Sequence, residues 1–393
     1  MQFLKNKGNF FLLKTLKINQ KQSFNFCYSA YIEKIDKIEI IKSDTTDINF
    51  NLSTEEFLYE HSQLTHPVLF LWRNDKTIVI GRHQNPWKEC FLQNMERDNV
   101  NLARRKTGGG AVYQDLGNSC FSFLVPALGE QYPLDIAKQI DNIILLNALK
   151  KFNIEATFSG RNDILLDNRK ISGSAYKMNL GDKQGKGKKA LHHGTMLLNL
   201  QSADVPKYLN PNKAKLKSKG VTSVISRITN LIDVNPQINH ESFSKALEKE
   251  FIDFYSLNKS KDLEVIHTTL DKSELEKNDK INTTFKAMVS WDWIHGQTPK
   301  FSNSIDKKFD WGLIDFSFDV EKSKIVDAQV FSDCLYAEYI TIMNEVLQNN
   351  KEKYNYDAQG VHQFCEDVKI VVQNEKLYVD YTNDIQSWIV EAI

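Results

Sequence analysis

The 393-residue chain has no net charge, with fifty basic side chains against fifty acidic ones. A protein dedicated to nucleic acid normally carries a basic excess, so that class is not expected. Cysteine is scarce. Cys27, Cys90, Cys120, Cys334 and Cys365 lie far apart and form no C-x-x-C pair. That excludes a disulfide framework and fits a reducing compartment. No apolar run approaches the roughly 20 residues needed to cross a bilayer, so no membrane span is expected. Three catalytic signatures are missing: the P-loop G-x-x-x-x-G-K-[ST], the dinucleotide G-x-G-x-x-G and the nucleophile elbow G-x-S-x-G. Cysteine and histidine nowhere fall at zinc-site spacing. Acid is absent from the first 32 residues, where Lys5, Lys7, Lys14, Lys17 and Lys21 sit among Phe and Leu. A basic, acid-free segment able to form an amphipathic helix is the pattern of a mitochondrial targeting peptide, expected here over 1–32.

What is present reads as α+β. Ser53-Thr54-Glu55-Glu56 has the form of a capping box and predicts a helix start. Val68 to Trp72 and Thr77 to Ile80 are β-rich runs around Asn74-Asp75-Lys76, the pattern of a hairpin. "VNLARR" and "NSCFSFLV" are two further strands, and 133–152 an amphipathic helix. Short strands follow in "IEATF", "DILL", "RKISGSAYK" and "ALHHGTMLLNL". Strands running mostly in adjacent hairpins with intervening helices argue against a doubly wound parallel sheet. "GDKQGKGKK" has no apolar residue to bury and reads as a loop. Glu241 to Tyr255 predicts a helix with Phe243, Leu247, Phe251 and Phe254 in one stripe. Leu257 to Asp279 is polar and charge-rich, as a linker would be. Beyond it, paired strands over 311–318 and 324–331 and helices near 334–349, 357–367 and 382–393 make a second unit. The expected division is a targeting segment 1–32, a catalytic domain 33–270 and a smaller α+β domain 275–393. No heptad or large exposed apolar stripe is evident, and a monomer is expected.

The chemistry concentrates in three places. "ARRKTGGGAVYQDLGN" (Ala103 to Asn118) places three glycines beside Arg104 and Arg105. Glycines let backbone approach a ligand and present N–H groups to anions, and the arginines could pair with phosphate or carboxylate. A tight hairpin with surface arginines explains the same residues equally well. In "GRNDILLDNRKISGSAYK", strict alternation would put Lys170, Ser172 and Ser174 on one face, where Lys170 could stabilise developing charge. An edge lysine is the plainer reading of that residue alone. Asp163, beside Asn162, offers oxygen to a Mg²⁺–nucleotide complex. In "HHGT", His192 and His193 must point to opposite sides of a strand, one toward a cleft and one into packing. Cys120 reads as a buried strand residue.

Together these stretches resemble the lipoate–protein ligase family. "IGRHQNPWKEC", "LARRKTGGGAVYQDLGN", "GRNDILL", "RKISGSAYK", "HHGTMLLN", "YLNPNKAKLKSKGVTSVISRITNL" and "SWDWIHGQTPKF" occur in the family's order and spacing, from about Ile40 to the C-terminus. The resemblance implies the biotin/lipoyl protein ligase fold: a mixed, largely antiparallel sheet flanked by helices, with a small α+β C-terminal accessory domain. It implies activation of lipoate with ATP and Mg²⁺ to lipoyl-AMP. The lipoyl group then passes to a lysine of a lipoyl domain, in 2-oxoacid dehydrogenase E2 subunits or the glycine-cleavage H protein. Residue by residue, Arg105, Gly110, Ala111, Val112 and Tyr113 match the family's ATP and adenylate contacts. Gly108 and Gly109 match the lipoate pocket, and Lys170 the catalytic lysine that touches both. Gln114 departs from the family, where a histidine is usual. A transferase using preformed lipoyl-AMP is the runner-up, because "IGRHQNPWKEC" looks like animal mitochondrial relatives of that kind. "GRND", "SGSAYK" and "YLNPNKAKLKSKGVTS" favour the two-step ligase. A non-catalytic binding module on the same fold is the third reading.

Overall fold

An eight-stranded mixed sheet forms the centre of the molecule, in the order β11-β1-β2-β6-β10-β9-β8-β7. Its strands are β1 (Lys37–Ser43), β2 (Val68–Trp72), β6 (Asn118–Pro126), β7 (Thr157–Ser159), β8 (Asp163–Leu166), β9 (Arg169–Asn179), β10 (Lys189–Leu197) and β11 (Glu264–Leu270). A three-stranded sheet contains β3 (Thr77–Ile80) between β4 (Asn101–Arg104) and β5 (Val112–Gln114). The C-terminal unit has a third sheet of β12 (Asn303–Phe309), β13 (Gly312–Glu321) and β14 (Lys324–Ser332). The longer helices are α1 (Ile48–Glu60), α2 (Leu134–Lys150), α3 (His240–Tyr255), α4 (Asp279–Met288), α5 (Ala337–Asn350), α6 (Ala358–Val372) and α7 (Lys376–Ala392). The structure is a computed structural model that describes residues 32–61, 64–126, 134–159, 162–179, 187–210, 228–257, 262–296, 301, 303–321, 324–350, 353–355 and 357–392. The targeting segment, most of "GDKQGKGKK", Gly160-Arg161 and 211–227 of the "YLNPNKAKLKSKGVTSVISRITNL" stretch lie outside the described residues.

Pairing is parallel where β1 meets β2 and β11, and antiparallel from β2 through to β7. The expected mixed, largely antiparallel α+β architecture is therefore present. Helices α2 and α3 cover one face of the sheet, where Ile140, Ile144, Phe243, Leu247 and Phe251 meet Phe121, Phe123 and Met196 in the main core. Helix α1 and the small sheet lie over the β2 and β6 part of the opposite face, where Leu52, Trp72, Val79, Ala103 and Cys120 form a second cluster.

Three local expectations are corrected. First, β2 and β3 make no hairpin. Strand β2 is already bonded on both sides, by β1 and β6, so no edge remains and β3 starts the small sheet instead. Second, Ser53 does not cap α1. Asp47 accepts from the amides of Asn49 and Phe50, so the helix begins a turn and a half earlier. Ser53 sits in its interior, bonded back to the Asn49 carbonyl at 2.5 Å. Third, the polar stretch read as a linker contains β11, which pairs with β1 over seven residues at the sheet edge. An edge strand is half solvated, so its polar composition concealed it. The chain stays on the first unit beyond that strand, since α4 packs on α1 and Met288 joins its core.

Candidate functional site

The triple-glycine segment joins β4 to β5. These strands are not bonded to each other; both pair with β3, parallel on one side and antiparallel on the other. The segment is therefore an arch over the end of β3, not a tight hairpin. Gly81, at that end, accepts the arch so closely that a Cβ there would stand 2.1 Å from the Gly109 carbonyl oxygen. Gly109 has φ +91°, a region glycine tolerates and other residues rarely adopt.

The arginines hold the arch and its surroundings. Arg104 is buried, and its guanidinium donates to the carbonyls of Arg82 (2.9 Å), Gln84 (2.7 Å), Trp293 (2.9 Å) and Ile294 (2.7 Å). Arg104 thus clamps "SWDWIHG" to the loop after β3 and does not face a ligand. Arg105 donates to Thr107 Oγ1 (3.1 Å) and to the carbonyls of Val79 (3.1 Å), Gly108 (2.6 Å) and Gly110 (2.9 Å). Burial lowers the Arg104 pKa to about 9 and the Arg105 pKa to about 10, so both stay charged at neutral pH.

Under the arch, between the two sheets, is a cavity of about 150 Å³. Arg105, Gly109, Gly110, Ala111 and Val112 line it from the arch, as does Lys170 from β9. Its mouth is at the β8–β9 edge. There Lys170 Nζ pairs with Asp163 Oδ1 at 2.7 Å, and Asn162 and Ser174 complete the rim. The position of Lys170 corrects the alternation expected along β9. Leu165 pairs with Lys170 but Ile164 with Ser172, so β9 carries an extra residue at Ile171. The bulge flips the parity. Lys170 consequently shares its face with Gly173, while Ser172 is buried. A Cβ at Gly173 would lie 2.6 Å from Lys170 Nζ, so that glycine is what lets the lysine lie across the strand.

Two residues singled out in the sequence lie off the wall. Tyr113 packs its ring on Tyr208, 5.7 Å between centroids, on the other side of the small sheet. Gly108 faces the accessory unit, where a Cβ would stand 2.0 Å from the Cys334 carbonyl oxygen. The Gly109 amide donates to that same carbonyl at 3.0 Å. The accessory unit thus seals the outside of the arch.

Sequence reasoning missed most of the inner wall, Leu52, Trp72 and Thr195, and noted Gln114 only as a departure from the family's histidine; Glu55 stands behind them. Of the histidine pair, His193 faces the cavity and His192 the core, as alternation requires. Glu55 accepts from His193 Nδ1 (2.8 and 2.9 Å) and from the Ser122 hydroxyl, which in turn accepts from Trp72 Nε1 (2.9 Å). His193 Nε2 lies 2.8 Å from Thr107 Oγ1, linking the sheet to the arch. The i, i+4 spacing of Asn51 and Glu55 marks them as one face of α1, but nothing in the sequence joins that face to "HHGT". Opposite, His192 Nδ1 lies 3.1 Å from Asp141 Oδ2, both fully buried. Burial pushes the Asp141 carboxyl well up and the His192 imidazole well down, so the pair is held neutral. Among the described residues no group of three or more His, Cys, Asp or Glu is placed to hold a metal ion. A second cleft of about 400 Å³, lined by Tyr59, Tyr176, Tyr336 and Tyr378 between the two units, touches the end of "RKISGSAYK" but contains none of the residues given a site role from the sequence.

The cavity is small, largely apolar at its inner end and carries the Lys170–Asp163 pair at its mouth, which suits a slender acid with its carboxylate at Lys170. Comparison with known proteins agrees. Residues 47–252 match the lipoyl protein ligase A/B catalytic domain and residues 298–389 the bacterial lipoate protein ligase C-terminus. Lipoate-protein ligase A of Psychrobacter cryohalolentis is 39% identical over 355 residues, which cover 90% of this chain and 98% of that protein. The solved structure of P. falciparum LipL1 in complex with lipoate superposes with a TM-score of 0.72 at 35% identity, covering 90% of this chain and 99% of that one. A bipartite lipoate protein ligase of Thermoplasma acidophilum, solved with its E2 lipoyl domain, shares the fold at a TM-score of 0.56 and 23% identity, covering 68% of this chain and 100% of that one.

Proposed function

Because this chain belongs to the lipoate–protein ligase family, we propose that it joins lipoate to protein lysines in two steps at the cavity under the glycine arch. In the first, the lipoate carboxylate attacks the α-phosphorus of ATP, forming lipoyl-AMP and releasing pyrophosphate. Two anions must meet, and Lys170 at the cavity mouth offsets their repulsion. In the second, the neutral ε-amine of an acceptor lysine attacks the acyl carbonyl, forming the amide and releasing AMP. No protein nucleophile is needed. The observation that carries this reading is the placement of Lys170 and Asp163 at the open end of a cavity whose other end is walled mainly by Leu52, Trp72 and Val79.

The nucleotide would lie along the cavity side of the arch, against Gly110, Ala111 and the main chain of Val112 and Tyr113, with Arg105 holding the Gly108 and Gly110 carbonyls in place. Asp163 and Asn162 fit a magnesium ion. They offer one carboxylate and one amide oxygen beside the phosphate position, and Mg²⁺ takes its remaining ligands from phosphate and water. Bound there, the ion would neutralise phosphate charge. Asp163 would exchange its Lys170 partner for the ion, freeing the ammonium to face both anions.

The acceptors we propose are lipoyl domains of 2-oxoacid dehydrogenase E2 subunits and the H protein, approached by a monomeric enzyme. The acid-free segment 1–32 supports mitochondrial targeting. One assay tests the reaction. The purified protein is incubated with lipoate, ATP, Mg²⁺ and an apo lipoyl domain, and separately with lipoyl-AMP and that domain. Modification in both supports the two-step ligase. Modification from lipoyl-AMP alone would make it a transferase, and modification in neither would leave a binding module.

A further inference from the structure

The inner end of the cavity contains a polar group that an alkyl chain does not need. From Lys170 on β9, the cavity runs over β10 to Trp72 on β2, three strand spacings or about 14 Å. The end wall is Leu52, Trp72, Val79 and Gln114. Three of these are apolar. Gln114 is only 4% exposed, and its side chain is fixed from behind.

The direction of its amide follows from a chain of hydrogen bonds. Asn51 Nδ2 lies 3.2 Å from the Thr45 carbonyl and 3.1 Å from the Arg73 carbonyl. A carbonyl only accepts, so the nitrogen of Asn51 must face that side. The same nitrogen donates to Asn74 Oδ1 at 2.9 Å, which turns the Asn74 nitrogen toward Gln114. Asn74 Nδ2 then donates to Gln114 Oε1 at 2.6 Å. Each amide hands its oxygen to the previous donor and its nitrogen to the next. With Oε1 taken, Gln114 has its N–H₂ group to offer at the cavity end. Asn51 and Asn74 are fully buried, so water does not compete for these bonds.

We propose that Gln114, aimed by Asn74 and Asn51, is a specificity-determining residue. It offers an N–H donor to the tail of the acyl chain, and so selects an acid ending in a cyclic disulfide over the saturated alkanoate of equal chain length. Sulfur is a weak acceptor and can receive that N–H. A methyl tail leaves the donor unmatched in a site closed to water, which is the arrangement that rejects an analogue most strongly. The inference rests on the ligase reading above.

The test compares lipoate with octanoate in the full-length enzyme, with ATP, Mg²⁺ and an apo lipoyl domain, and by calorimetry with each acid alone. Gln114→Met keeps the unbranched shape and removes the donor. Its lipoate-to-octanoate ratio of kcat/KM should fall by about tenfold, through a higher KM for lipoate and not a lower kcat. Asn74→Leu leaves the wall residue in place but removes the donor that fixes the Gln114 oxygen, so the amide is no longer aimed and the ratio falls likewise. Thermal melting confirms that each variant is folded; Gln114→Asn, which retracts the donor by one carbon, replaces any that is not. A ratio within twofold of the parent in the folded variants overturns the inference while leaving the ligase reading intact. A parent enzyme that uses neither acid overturns both.

Discussion

Lys170 makes its hydrogen-bonded ion pair at the surface, so its removal should damage chemistry and not folding. Lys170→Ala should slow pyrophosphate release by about 10² to 10³, with a melting temperature close to the parent. Release within threefold of the parent would refute the role. Glu55 is the opposite case. It is buried, accepts from both His193 and Ser122, and through them orients Trp72 and Thr107. Glu55→Ala leaves two donors without their acceptor and should destabilise the fold by about 3 kcal/mol in urea denaturation. A loss under about 1 kcal/mol would mean that water replaces the carboxylate. Lys170 was legible through the ordered family stretches and not from its strand alone, and Asp163 through the oxygen it offers beside Asn162. The sequence hid Glu55, which sits in an ordinary helical run 138 positions from its histidine.

Among the elements, the arch over β3 decides most. Its glycines were an even contest between a turn and an anion cradle when read alone, and pairing of β4 and β5 to opposite sides of β3 decides it. Gly109 serves backbone conformation and Gly108 serves contact. Gly108→Ala would drive a methyl into the Cys334 carbonyl, so the accessory unit should detach from the arch. Small-angle scattering should then show a larger radius of gyration, while the catalytic unit keeps its circular dichroism. An unchanged radius would show that the arch moves instead. The bulge at Ile171 is the other decisive element. A period-two pattern was legible in "RKISGSAYK", but one extra residue in a strand leaves no mark on hydrophobic alternation, because both faces there are partly buried.

Across the whole molecule, His83 joins the two units. Its Nε2–H points at the Ala337 carbonyl (3.1 Å) and Thr341 Oγ1 (3.0 Å), and its own carbonyl accepts from the Ser332 amide at 2.9 Å. Burial, aided by Arg82 and Arg104, lowers its pKa to about 3. An unfolded histidine titrates near 6.5, so below that pH the unfolded chain binds the extra proton. Stability contributed by neutral His83 is therefore complete above pH 6.5 and is lost as the pH falls toward 3, approaching about 1.4 kcal/mol per pH unit. Denaturation between pH 7 and 5 should show this slope in the parent and a shallower one in His83→Gln. Equal slopes would place the acid sensitivity elsewhere, with the buried Asp141–His192 pair the next group to examine.

The sequence by itself determined the helices and strands with strong periodicity, the α+β class, and the family through seven ordered stretches. These are local properties: spacing, glycine placement and residue type along a few turns or strands. Tertiary structure alone decided that Arg104 clamps main chain and faces no ligand, and that Lys170 shares a face with Gly173. It also decided that Gln114 is aimed by Asn74, and that the arch lies under the accessory unit. Each of these depends on which partner a polar group finds once water is excluded. That partner is brought from distant sequence by sheet order and burial, and no local pattern records it.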